Sequence, residues 1–224
     1  MRYRVFCDFD GTLAVHDVGN LLFTHFADAR QWWQLVALWK RGEIDGKSMW
    51  QRICEVTRIR HEQLDQFAAS QAIDPGFVPF RQFCIEHGFP LYVVSDGMDA
   101  YIRRILVHHR LHEVQVRSNH LEISEDGTLQ VSFPYFEDGC GTCANCKGAH
   151  IRLERKEGEQ TVYVGDGLSD KCAAGEADIL FAKKDLERYC INNTIPYHAY
   201  STFFDVLENL RGRLQNEGSG PAGS

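Results

Sequence analysis

No uninterrupted apolar run in this sequence approaches the roughly 20 residues needed to cross a bilayer, and no lysine and arginine stripe marks a surface for nucleic acid. The formal charge of -7 points the same way, since a general nucleic-acid binder relies on a basic field. The N-terminus lacks a signal-peptide layout and runs straight into a strand pattern. The expected compartment is therefore the cytoplasm, and neither a membrane nor a nucleic acid is an expected partner. Cysteine is not scarce, with eight in the chain. Five of them, Cys7, Cys54, Cys84, Cys172 and Cys190, are scattered singly and read as small core residues or idle thiols of a reducing compartment. With 224 residues, 44% hydrophobic and 25% charged, the chain can build one sizeable core, or a core carrying an insert.

The chain is organised around Val5-Phe6-Cys7-Asp8-Phe9-Asp10-Gly11-Thr12-Leu13. An apolar run ends in two carboxylates one residue apart, and Gly11 lets the backbone turn away, as where a strand leaves a sheet and becomes an active-site loop. On a continued strand Asp8 and Asp10 would face opposite ways, so they act together only if the chain bends after Asp8. Such a bend would give one carboxylate to a metal and to attack and hold the other nearby for proton transfer. Taken alone, the same piece reads equally well as a turn, because Asp, Gly and Thr hydrogen-bond locally in loops.

From 17 to about 70 the pattern is helical. Val18, Leu21, Leu22 and Phe26, then Trp33, Val36 and Ala37, then Met49, Ile53 and Val56 recur at three-to-four spacing, with breaks at Gly42 and Gly46. No strand signal interrupts, so residues 15–74 read as a helical insert between the first strand and the rest of a core formed by 1–14 and 75–215. Phe23, Phe26, Trp32, Trp33, Trp39 and Trp50 are either a core shared by packed helices or an aromatic wall facing a substrate.

After the break at Asp74-Pro75-Gly76, a helix through Phe80, Phe83, Cys84 and Ile85 stops at Gly88. A buried strand over 90–97 ends in Ser95-Asp96-Gly97. A helix over 99–109, a strand over 114–117 and a hairpin of 121–123 with 128–131 follow. Then come a helix over 147–156, a third buried strand ending in Gly165-Asp166-Gly167-Leu168-Ser169-Asp170, a helix from Asp170, a strand over 179–181 and a last helix over 203–214. The Gly/Ser/Pro/Ala tail, 216–224, reads as disordered. Alternating strands and helices predict an α/β fold with a parallel sheet and a site at the carboxyl ends of its strands.

Asp8, Asp10, Asp166 and Asp170 would make an anionic oxygen site suited to magnesium. With Ser95 and Lys147 they form a phosphoryl-transfer set: metal and lysine neutralise the equatorial oxygens, the hydroxyl and nearby amides bond them, and a carboxylate attacks in line. Singly, Lys147 is a surface lysine and Ser95 and Asp170 are helix N-caps. The order of all four pieces along one chain outweighs those readings.

Through Asp8-Phe9-Asp10-Gly11-Thr12, Ser95, Lys147 and Gly165-Asp166-Gly167-Leu168-Ser169-Asp170, the chain resembles the haloacid dehalogenase superfamily of phosphotransferases over nearly its whole length. The resemblance implies a Rossmann-like parallel-sheet core with a small helical cap, here 15–74, that closes over the site and reads the leaving group. It implies Asp8 as nucleophile forming an aspartyl-phosphate, and Asp10 as acid and then base. Magnesium would be held by Asp8, the Asp10 backbone carbonyl and Asp166, with Asp170 supporting. Phosphate would be bound by Thr12, Ser95, Asp96, Gly97 and Lys147. Asp10 speaks against the dehalogenase branch, which lacks that second acid. Within the phosphatases the chain is most similar to the methionine-salvage branch acting on 2-hydroxy-3-keto-5-methylthiopentenyl-1-phosphate and to phosphoethanolamine/phosphocholine phosphatases, both with a cysteine-rich loop before the lysine. Phosphoserine phosphatases are a further relative, but their pattern has Glu where this chain has Asp17. Asp17 and Asn20 are candidates for touching substrate, against a reading of Asp17 as a helix cap. The expected substrate is a small phosphorylated metabolite, and a thioether suits the aromatic insert better than a zwitterion does. The competing reading is a silent, zinc-stabilised binding module.

Cys140, Cys143 and Cys146 have the two-residue spacing of metal ligands, with His150 or Cys172 as a fourth. The alternatives are a structural zinc site and reduced thiols or a redox-sensitive disulfide. Oligomeric state is not encoded in any motif.

Overall fold

The computed structural model describes residues 2–218. Seven strands make one sheet among them: β1 (Arg2–Cys7), β2 (Leu91–Met98), β3 (Gln115–Ile123), β4 (Leu129–Ser132), β5 (Glu159–Gly165), β6 (Ile179–Ala182) and β7 (His198–Ala199). Their spatial order is β4-β3-β2-β1-β5-β6-β7, and every neighbouring pair is parallel except β3 with β4. Parallel strands covered on both faces are apolar without alternation. In β1, Tyr3, Val5 and Cys7 join the larger core, whereas Phe6 points to a second core with Tyr92, Val94, Tyr163 and Leu180. Arg4 is 3% exposed. Its guanidinium donates to Tyr92 and pairs with Glu154 at 3.2 Å and Glu159 at 2.9 Å, which satisfies an otherwise costly buried charge.

The topology explains why the site forms where it does. From β1 the chain builds β2 and β3 on one side, then returns to lay β5, β6 and β7 on the other. The order therefore reverses at β1 and β5, where such sheets open a crevice at their carboxyl ends. Cys7 pairs with Val93 on one side and Val164 on the other, so the residues that follow these strands emerge at one level.

Ten α-helices are described: α1 (Val18–Phe26), α2 (Ala29–Lys40), α3 (Gly46–Val56), α4 (His61–Ala69), α5 (Phe77–Glu86), α6 (Asp99–His108), α7 (Lys147–Glu154), α8 (Lys171–Ala174), α9 (Lys184–Asn192) and α10 (Phe203–Gly218). The first three begin at Asp17, Asp28 and Asp45, whose carboxylates accept a backbone N–H three residues on and satisfy an orphan donor of the first turn. Phe23 packs on Trp32 at 5.2 Å and Trp50 at 5.6 Å between ring centroids, so these rings knit α1 to α3. Opposite, Phe77 and Phe80 of α5 each lie 5.1 Å from Phe203 of α10, and buried Asp74 accepts from Gly76 and Phe203 to fix both helix starts.

Bonds between backbones moor residues 15–74 at three places, and side chains of α6 and of the turn after it add Arg104 on Asp65 at 2.6 Å and His109 on Gln71 O at 2.9 Å. Ala14 bridges Ile73, Arg58 bridges Thr128 with Ile59 N donating to Gly127 O at 3.0 Å, and Gly46 N donates to Thr142 O at 2.9 Å.

The sequence reading differs from the fold in places. The strand at 114–117 and the first arm of the hairpin are one continuous β3, whose first half pairs with β2 and whose second half pairs with β4. Helix α9 and strand β7 were not anticipated, although Leu186 and Cys190 are a buried pair four residues apart. Of the expected tail, 216–218 continue α10, and 219–224 lie outside the described residues.

Candidate active site

β1 ends at Cys7, and Asp8 N is still held by Val164 O at 2.9 Å. The chain then leaves the sheet in one wide turn over Phe9–Leu13, closed by Ala14 N donating to Phe9 O at 2.8 Å. Gly11 makes this turn possible with φ +77°, a left-handed conformation that residues with a Cβ resist. The bend turns Asp8 and Asp10 to the same cavity, as their cooperation requires.

Asp8 Oδ1 accepts from Phe9 N at 2.7 Å and pairs with Lys147 Nζ at 2.7 Å. Lys147, 1% exposed, also reaches Asp170 Oδ1 at 2.5 Å and Ser169 Oγ at 2.9 Å. Burial alone would lower its ammonium, but Asp170 and Asp8 outweigh this and hold it above the ordinary lysine value. Burial conversely pushes Asp8 and Asp166 above the usual carboxylate range. Asp170 is saturated: Oδ1 accepts from Lys147 and Tyr163, and Oδ2 from the backbone of Asp166 and Gly167 at 2.9 Å each. It shapes the loop and aims the lysine.

Asp10 Oδ2 accepts from Tyr101 Oη at 2.8 Å and Ser95 Oγ at 3.2 Å, and Oδ1 from Gly19 N at 3.1 Å. Desolvation, with repulsion from Asp17, raises Asp10 to about 7 against the pull of the Tyr101 and Gly19 hydrogen bonds. A carboxyl titrating near neutrality suits a group that must both give and take a proton. Gly97 is obligatory beside it, because a Cβ there would lie 1.8 Å from Tyr101 Oη and 2.8 Å from Asp10 Oδ2.

The other sequence candidates divide. Ser95, Asp96, Gly97, Asp17 and Asn20 line the cavity. Asp96 is raised to about 6 by burial and accepts from Asn145 N at 2.7 Å, so its side chain anchors the cysteine-bearing loop. Asp17 caps α1, accepting from Asn20 N at 2.8 Å and Asn20 Nδ2 at 2.5 Å, while remaining open to the cavity. Thr12 is fully buried and, unlike these, does not line the cavity; its hydroxyl donates to Asp166 Oδ1 at 3.2 Å, so it steadies that carboxylate.

Tyr101 and Lys184 were missed. Lys184 Nζ reaches Asp166 Oδ2 at 2.8 Å and Gly11 O at 3.1 Å from a backbone with φ +52°, a strained state of the kind that persists at functional sites. Its signal was positional: it stands just past the carboxyl end of parallel β6.

Asp8, Asp166 and Asp170 place carboxylate oxygens within 4.8 Å of one another. With Asp10 beside them, Lys147 and Lys184 leave negative charge uncompensated. A Cβ on Gly11 would lie 2.4 Å from Asp166 Oδ2, so the backbone makes room for that carboxylate. Hard oxygen donors in a charged cradle fit a divalent cation of the magnesium type. Above them is a cavity of about 400 Å³, the size of a small-metabolite site. Trp32, Val36, Trp39, Met49 and Trp50 form an apolar wall, and Lys40 and Arg188 also line it. Trp32 and Trp50 thus serve both readings, as core of the helical insert and as wall.

The sulfurs of Cys140, Cys143, Cys146 and Cys172 also lie within 4.8 Å of one another. Cys172 is therefore the fourth member. His150 instead bonds Asn145 Oδ1 through Nε2 at 2.6 Å and is lowered to about 4 by burial.

Known proteins resemble this chain in sequence and in fold. The family model described as Putative Phosphatase matches residues 3–207. The chain is 30% identical over 220 residues to the 2-hydroxy-3-keto-5-methylthiopentenyl-1-phosphate phosphatase of Bacillus mycoides, covering 96% of this chain and 99% of that protein. It is 29% identical over 230 residues to the polyol phosphate phosphatase PYP1 of Saccharomyces cerevisiae, covering 95% and 94%. In fold it is similar to a phosphoserine phosphatase solved with an analogue of its phospho-aspartyl intermediate, with a TM-score of 0.70 and 15% identity over 94% of this chain and 99% of that one.

Proposed function

The chain belongs to the Putative Phosphatase family, and we propose from that premise that it is a magnesium-dependent phosphomonoesterase working through a phosphoaspartate on Asp8. It is a phosphoric monoester hydrolase of small metabolites with the haloacid dehalogenase fold. Residues 15–74 act as its cap, over a core of 1–14 and 75–215. The observation that carries the reading is Lys147 at 2.7 Å from Asp8 Oδ1, beside an Asp10 held near neutrality.

Both contacts to Asp8 fall on Oδ1, which leaves Oδ2 as the attacking oxygen. As Oδ2 bonds to phosphorus, the ester P–O bond breaks and Asp10 gives its proton to the departing oxygen. Asp10, now ionised, takes a proton from water. That water attacks phosphorus, the bond to Asp8 breaks, and inorganic phosphate leaves with the carboxylate restored. Lys147, the Ser95 hydroxyl and the Gly97 amide are the donors available to the phosphoryl oxygens. A magnesium ion held by Asp8, Asp166 and the Asp10 carbonyl would supply further neutralisation of those oxygens.

The wall of Trp32, Val36, Trp39, Met49 and Trp50 supports a leaving group with an apolar, thioether-bearing tail, since sulfur packs favourably on aromatic rings. A polyol would strand its hydroxyls there. Of the relatives' substrates, the methylthio enol phosphate therefore fits best. Eight unbridged cysteines fit a reducing, cytoplasmic setting, and no described helix is long and apolar enough to cross a membrane.

The test is phosphate release with magnesium from phosphoserine, phosphoethanolamine, phosphocholine, a polyol phosphate and the methylthio enol phosphate. The expected outcome is strong preference for the last, falling by roughly 10⁴-fold or more in Asp8→Asn. Equal turnover by that variant would overturn the nucleophile, and preference for the polyol would overturn the substrate.

A further inference from the structure

Four thiols meet beside the active-site lysine, and we propose that Cys140, Cys143, Cys146 and Cys172 hold one structural zinc ion that clamps the Lys147 helix to the loop carrying Asp166 and Asp170. The four sulfurs lie within 4.8 Å of one another, with Cys143 and Cys172 at 4.0 Å. A tetrahedral site with Zn–S bonds of 2.3 Å has sulfur edges of about 3.8 Å, so the set closes on an ion with shifts of about an ångström or less. A disulfide would need sulfurs about 2.05 Å apart, and all eight cysteines are free. The backbone is already folded to present the sulfurs. Gly141 turns with φ +77°, and Cys143 N donates to Cys140 Sγ at 3.4 Å, which favours a thiolate there. Soft thiolates select zinc over the hard cation of the neighbouring carboxylates.

The position of the site gives it a consequence. Cys146 directly precedes Lys147, and Cys172 follows Asp170 by two residues. Each end of the ion pair from Lys147 Nζ to Asp170 Oδ1, at 2.5 Å, is thus tied to a sulfur ligand. The two backbones touch here: a Cβ on Gly148 would lie 2.6 Å from Cys172 O. Asn145, in the same loop, donates to Ser95 O at 2.8 Å and Arg117 O at 2.9 Å. The clamp therefore also reaches the end of β2. On coordination four Zn–S bonds form, and the protons still on the thiols pass to solvent. The zinc ion performs no chemistry on substrate and positions Lys147 against Asp8.

Elemental analysis of the full chain, purified without chelator, tests this. The expected result is about one zinc per chain, with most of it lost in Cys140→Ser and in Cys172→Ser and more retained in Cys172→His, which keeps a ligand. Cobalt(II) loaded into the wild-type protein should give thiolate-to-cobalt charge-transfer absorption, a readout that needs no variant to fold. Stripping zinc with a thiol-competing chelator in excess magnesium should lower kcat about ten- to hundred-fold, and zinc should restore it. Absence of bound zinc or cobalt under reducing conditions would overturn the site. Zinc whose removal leaves kcat unchanged would overturn the clamp. The metal count is read without substrate, so its outcome is independent of the phosphatase reading.

Discussion

Tyr101 Oη donates to Asp10 Oδ2 at 2.8 Å, from a tyrosine with no exposed surface. That bond, with the one from Gly19, opposes the desolvation and the Asp17 repulsion that raise Asp10. Tyr101 lies 91 residues away in the chain, on the same buried helix face as the core residues Ile102 and Ile105, and it bears on where the Asp10 carboxyl titrates.

Tyr101→Phe should therefore raise Asp10 further. Because the second step needs Asp10 ionised, the acidic limb of the kcat profile should move to higher pH by about one unit. A pH series on the two proteins checks this. Superimposed limbs would mean that another group controls the step.

Asp10→Asn should kill turnover yet stabilise the metal-free protein at alkaline pH. The folded value of about 7 lies above the ordinary 3.8, so the folded state binds this proton more tightly. Stability from this site is present below pH 4 and is lost as pH rises towards 7. A neutral Asn escapes that loss. Melting in EDTA at pH 8 should show the variant ahead by roughly 1–3 kcal/mol, a gap that closes at pH 4. A variant that melts lower at pH 8 would contradict the assignment.

Gly11→Ala would drive a Cβ to 2.4 Å from Asp166 Oδ2. The magnesium concentration for half-maximal activity should rise roughly ten- to hundred-fold. Gly42→Ala is the matched control, since its φ of +73° imposes the same backbone strain with nothing within 4 Å. Equal losses in both would assign the effect to strain alone.

Arg4→Met removes a buried cation from Glu154, Glu159 and Tyr92 and should cost about 3 kcal/mol in denaturant unfolding. Arg4 stands four residues before Asp8, or about 13 Å along a strand, so kcat should stay unchanged. A large fall in kcat in the folded variant would show that the sheet transmits strain to the site.

The parts legible in the sequence are those that local chemistry encodes. Apolar runs ending in Asp8, Ser95 and Asp166 announce strand ends, and a parallel sheet collects such ends at one edge. Lys147 is legible because it opens a helix between two of those strands. Tyr101 is not, because it sits in an ordinary helical pattern and gains its role only when a distant segment arrives beside it; for the cysteine cluster the sequence offers both His150 and Cys172 as a fourth ligand, and only the fold decides between them. The partner of the Thr12 hydroxyl is hidden for the same reason: it is Asp166, 154 residues away. The split of β3 arose because its two halves pair with different neighbours in opposite senses, and periodicity carries no record of partners.

The three moorings of residues 15–74 bear on how new specificities could be made from this protein. The segment holds the core at the Ala14–Ile73 bridge, at the Gly127 turn and at Thr142 in the cysteine-bearing loop. Grafted alone onto another chassis it would lose two of its three backbone footings and the Arg104 and His109 contacts as well. A working chimera should have to import 99–109 and 126–146 together with 15–74, so the unit of recombination is a discontinuous set of segments.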